Sequence, residues 1–151
     1  MLKKVAVVCA SSLVALAIIG CTYSHVLPAN TDTQGIKDVC VVTLPNTAKH
    51  PANSYIQENI VEGLKSVGIK TTLIPKIEVA YARKCTSALK YSTRGGVNDK
   101  IGYVHVRMYN VGEDGVISPN GEISHRQPLY ISKPEERQQK ITQLLRQMLS
   151  R

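Results

Sequence analysis

Four cysteines and four histidines are the residues of this 151-residue chain whose types most readily do chemistry. His25 and His50 lie in turn-rich stretches, His105 on the polar side of an alternating run, and His125 in a turn. None stands four residues from another on a helical pattern, and no H-E-x-x-H occurs, so no metal site is expected. Glu58 and Glu62 are four apart in a helical segment, but Ile56, Ile60 and Leu64 mark its apolar side and leave the two carboxylates on the wet one. There is no G-x-S-x-G elbow. Gly95-Gly96 lacks the further glycines and the following helix of a phosphate loop. The expectation is a protein that is not an enzyme, with no catalytic residue, cofactor or metal.

Charge is the feature that stands out. Between Gly63 and Val111 there are nine basic residues (Lys65, Lys70, Lys76, Arg83, Lys84, Lys90, Arg94, Lys100, Arg107) against Glu78 and Asp99. That excess of +7 is set against a net +8 for the whole chain. Such a field favours an anionic partner. The alternation of Tyr103, His105, Arg107 and Tyr109 with Val104, Val106 and Met108 puts Arg107 beside two tyrosines on one face of a strand. Lys90 belongs to the preceding strand, and Arg94 and Lys100 flank the turn between the two. Lys90, Arg94, Lys100, Arg107, Tyr103 and Tyr109 are therefore the candidate anion-binding residues, because Arg offers a fork of donors and Tyr flat, partly apolar area.

The elements that must position them follow from periodicity. Val39 to Leu44 is a β-branched run stopped by Pro45-Asn46, so a strand. Asn53 or Ser54 is placed to cap a helix carrying Ile56, Ile60, Leu64 and Val67, with Gly68 at its end. Ile69 to Ile74 reads as a strand parallel to the first. Strands follow at 85–93 and 101–110, then one or two short ones within 116–131. Ser132 with Glu135 has capping-box spacing, and Ile141, Leu144, Leu145 and Met148 form the stripe of a closing helix. This order predicts an α/β (α+β) two-layer sandwich, a mixed sheet of about 4–6 strands with two helices on one face.

The amino terminus has the layout of a secretory signal: Lys3-Lys4, then Val5 to Ile19 without a charge, then Gly20 before Cys21. The apolar run is short of the roughly 20 residues of a permanent span. Ile18-Ile19-Gly20-Cys21 resembles the bacterial lipobox. The resemblance implies cleavage before Cys21, a covalent lipid on Cys21, and, with Thr22 following, sorting to the outer membrane with the domain facing the periplasm. Cys9 would leave with the signal and Cys21 would be acylated, so Cys40 and Cys85 remain to pair in an oxidising compartment. The loop they close would stabilise by roughly 4 kcal/mol, in a mature chain with no Phe or Trp for its core. Residues 1–20 are thus read as a signal peptide, 21–37 as a flexible tether rich in turn formers, and 38–151 as a single domain.

The valine-rich strand around Cys40, Gly68-Ile69, Cys85 to Tyr91, Asp99 and the helix from Lys140-Ile141 to Leu149 together resemble small proteobacterial lipoproteins without an established activity. The chain departs from them in having Asn98 where an aromatic residue is expected. The resemblance implies fold and location but no mechanism. The reading is a non-enzymatic, lipid-anchored envelope protein that binds an anionic envelope component or an acidic protein face. Nucleic acid is not an expected partner. The alternatives are an inhibitor, immunity or exclusion lipoprotein and, third, a cell-wall-acting enzyme.

Overall fold

The computed structural model describes residues 24–30 and 33–151. Cys21, and with it the signal and lipidation readings, lies outside the described residues. Seven strands form one mixed sheet: β1 (Ser24–Leu27), β2 (Asp38–Val42), β3 (Lys70–Ile74), β4 (Ser87–Gly95), β5 (Lys100–Val111), β6 (Ile117–His125) and β7 (Leu129–Tyr130). Their order is β1-β6-β5-β4-β2-β3, with β7 added to the start of β5. β2 runs parallel to both β3 and β4, and the other pairings are antiparallel. Helices α1 (Asn53–Ser66) and α2 (Pro134–Leu149) lie on one face, and a short 3-10 turn spans Ile77–Val79. The structure is therefore an α+β sandwich of one mixed sheet and two helices.

Alternation decides which residues meet the helices. Leu89 and Tyr91 of β4, Val104, Val106 and Met108 of β5, and Ile123 of β6 point inward against Ile56, Ile60 and Leu64 of α1 and Ile141, Leu144, Leu145 and Met148 of α2. Each fully buried aliphatic side chain contributes roughly 1.5–3 kcal/mol. With no Phe or Trp in the chain, Tyr91 supplies an aromatic ring to this core, its hydroxyl donating to Gln57 at 2.9 Å. The helices approach closely because Gly63 faces α2; a Cβ there would come within 2.7 Å of Leu145.

A smaller cluster occupies the opposite face at the β3-β2-β4 end. Cys40, Val42, Ile74, Ala80, Ala88 and Val111 pack under the segment that follows β3, and Cys85 fastens that segment to β2 through a disulfide with Cys40, Cα to Cα 6.0 Å.

Three local expectations are corrected. Two described parts of the expected tether belong to the fold: Ser24–Leu27 pairs antiparallel with β6, and Thr33 is buried with its hydroxyl on the Leu149 carbonyl. Arg151 closes the same corner by donating to the carbonyls of Thr33, Ile36 and Val67. A four-residue edge strand takes its stability from its partner, not from its own propensity. Ala52, not Asn53 or Ser54, occupies the N-cap of α1, and the Ser54 amide donates to the Asn46 side chain at 2.8 Å. Ser132 does not cap α2; its amide and hydroxyl both donate to the Asp99 carboxylate, at 2.7 and 2.6 Å.

Candidate functional site: the open face of the sheet

Because both helices cover one side, the outward residues of β4, β5 and β6 form an open surface. The β4–β5 register sets Lys90 opposite Arg107, Ser92 opposite His105, and Arg94 opposite Tyr103. The β5–β6 register adds Ser124 opposite His105 and Glu122 opposite Arg107. A bulge between Arg94 and Gly95, where Gly95 holds φ +90°, reorients the chain at the edge of this surface.

Two shallow hollows result. The first, about 250 Å³, is lined by Lys90, Tyr91, Ser92, His105, Arg107 and Tyr109. Its charge is partly compensated. Glu122 accepts from Arg107 at 3.3 Å and shares a hydrogen bond with His105. The His105 contact, then Arg107, holds the Glu122 carboxyl below its ordinary range. Tyr109 and Glu122 hold Arg107 still further in its charged form.

The second hollow, about 350 Å³, is lined by Arg94, Gly102, Tyr103 and Arg126. The Arg94 and Arg126 guanidinium carbons lie 5.5 and 5.9 Å from the Tyr103 ring centre, within cation–π range. Tyr103 is fixed by stacking on His105, planes 6° apart, and by a 3.1 Å hydrogen bond with Ser124. Among the described residues neither Arg94 nor Arg126 has a carboxylate in ion-pair range. Both guanidiniums are exposed and open to an anion.

The six candidate residues are thus divided. Lys90, Arg107 and Tyr109 line the first hollow, Arg94 and Tyr103 the second. Lys100 lines neither; it opens β5 and pairs with Tyr130 of β7. Sequence reasoning placed His105 on this face without giving it a part, and missed Ser92, Glu122 and Arg126. Ser92 follows from alternation with Lys90 on one strand, but Glu122 and Arg126 become neighbours only through strand register, which the sequence pattern did not fix.

The other chemistry-bearing residues do not converge. His50 bonds the Thr93 carbonyl at 2.8 Å, and His25 is exposed on β1. His125 is buried on the helix side, where Ser24 Oγ lies 2.6 Å from its Nδ1. Glu58 and Glu62 are both exposed on α1. Ser87 and Lys90 have the S-x-x-K spacing of a nucleophile–base pair. On extended β4, residues three apart point to opposite faces, so they form no nucleophile–base pair. Among the described residues no group of three potential metal ligands occurs.

No family model and no curated protein matches the chain. Among solved structures it is similar to the dodecamer of a single-substitution PelC variant from Paraburkholderia phytofirmans, with TM-score 0.58 and 15% identity over 85% of this chain and 98% of that one. A second structure of the PelC dodecamer from that organism gives TM-score 0.55 and 14% identity over 85% and 97%. At this identity the likeness is one of fold.

Proposed function

We propose that this chain is a lipid-anchored cell-envelope protein that works by binding, not catalysis, and presents the open sheet face to an anionic envelope component or an acidic protein surface. The observation that carries the reading is the row of Lys90, Arg107 and Tyr109 around one hollow beside the Arg94–Tyr103–Arg126 cluster, on the one face the helices leave uncovered. A shallow site lined by charged and polar side chains suits a phosphate or carboxylate group presented by a larger molecule, whereas enclosed small-molecule pockets are predominantly apolar. The lipobox-like Gly20-Cys21 supports the anchor, and the Cys40–Cys85 disulfide supports an oxidising compartment. A photoreactive residue in place of Ser92, crosslinked in intact cells, tests the reading. A discrete adduct that disappears with Lys90→Glu/Arg107→Glu is expected; an adduct unchanged by that reversal would contradict it.

A second reading, that copies assemble into a higher oligomer, is favoured by the dodecameric state of both PelC structures and by two sheet edges that are open among the described residues. β3 exposes Leu73 at one edge and β1 exposes Leu27 at the other. Light scattering of the mature protein tests it: a mass of many protomers supports it, and a monomer at high concentration opposes it.

A further inference from the structure

We propose that the Arg94–Tyr103–Arg126 cluster is the membrane contact of this domain, seated on anionic phospholipid headgroups. The inference rests on the reading of Cys21 as the lipid-bearing residue. Only three peptide steps separate Cys21 from Ser24, so covalent geometry keeps their Cα atoms within about 11 Å. Ser24 is already in the sheet, paired with His125, and Arg126 follows directly after β6. The anchored end of β1 is therefore the end at which Arg126, Tyr103 and Arg94 lie side by side.

The opposite end is out of reach. The 12-residue β5 separates the Val97 turn from the Val116 turn by about 36 Å. Without a tether the domain cannot turn this second end to the bilayer while Cys21 is inserted. The near end has the composition of an interface contact: two guanidiniums without an acidic partner among the described residues, an amphipathic tyrosine, and Val97, which is 69% exposed. Basic groups are drawn to anionic lipid surfaces, and tyrosine favours the headgroup level. Docking there also turns the Lys90–Arg107 hollow, four residues further along β4, away from the lipid.

The chain has no tryptophan, so a single one reports position. The full chain is expressed, purified from membranes in detergent and reconstituted in phosphatidylcholine vesicles with or without phosphatidylglycerol, carrying a nitroxide on some headgroups. Mass analysis of the amino-terminal peptide shows whether Cys21 is lipidated; an unlipidated chain overturns the anchor reading and this inference together. In lipidated protein, the Val97→Trp reporter should be quenched strongly when phosphatidylglycerol is present and the Val116→Trp reporter little. Arg94→Glu/Arg126→Glu should abolish the difference, each arginine being worth about five-fold in the docked population. Circular dichroism of each variant confirms folding, since all four positions are exposed. Equal quenching at both ends, or Val97→Trp quenching that survives the double reversal, would overturn the inference while leaving the anchor intact.

Discussion

Glu122 on β6 faces Arg107 on β5 and bonds both Arg107 and His105 with one carboxylate. This single acid sets the character of the first hollow, because it offsets the charge of the Arg107 that an anion would seek. Glu122→Gln should therefore strengthen anion binding there several-fold, while Glu122→Gln combined with Arg107→Gln should weaken it. Chemical-shift titration with inorganic phosphate, followed at Lys90 and Ser92, checks both.

The disulfide should carry much of the stability of the β3–β4 connection. Cys40→Ser/Cys85→Ser removes a link across 45 residues that presses Ala80 and Ala88 together. We expect a loss of roughly 2–4 kcal/mol, a Tm lower by roughly 10 °C. Thermal unfolding with and without reductant measures it, and the reduced wild type should match the double variant.

His125 should make the fold sensitive to mild acid. Burial, and secondarily Lys140, pushes its pKa down to about 4, and Nε2 has no partner among the described residues. The folded state therefore resists a proton that the unfolded chain takes up near pH 6.5. Stability is fully present above that value and falls as the pH drops toward 4, by about 1–3 kcal/mol. His125→Asn should flatten denaturant stability between pH 6.5 and 4.5 relative to the wild type.

Arg137 is buried, donates to Asn59 and to the carbonyls of Tyr130 and Ile131, and lies 5.3 Å from the Tyr55 ring centre. Burial draws its pKa down from the ordinary arginine range. Arg137→Met leaves these acceptors without their donor and should cost about 2–4 kcal/mol in denaturant unfolding. Arg137→Lys should not restore the loss, since one ammonium cannot reach three acceptors in a fixed fork.

Periodicity made most of the architecture readable. Ile56, Ile60 and Leu64, and Val104, Val106 and Met108, announced which sides of α1 and β5 are buried, and these two patterns place the open face. Effects that depend on register were not readable. β1 is four residues followed by Pro28, and only pairing with β6 makes it a strand. Arg137 looks like any helix charge until Asn59 and the end of β7 close around it. Ser132 has the spacing of a cap, yet Asp99, which is 33 residues away in sequence, takes both its donors. The candidate site was half legible for the same reason. Alternation gave Tyr103, Arg107 and Tyr109, but nothing local announced that Glu122 would face Arg107 or that Arg126 would flank Tyr103.

The most direct measurement is the salt dependence of binding by the mature domain carrying Cys21→Ser, which removes any lipid contribution. Isolated peptidoglycan sacculi and purified lipopolysaccharide serve as probes, across the range in which the Debye length falls from about 10 Å at 0.1 M to about 3 Å at 1 M. Binding to one of them is predicted to weaken steeply with salt and to be lost with Lys90→Glu/Arg107→Glu. Binding that is indifferent to both salt and the reversal would contradict the account.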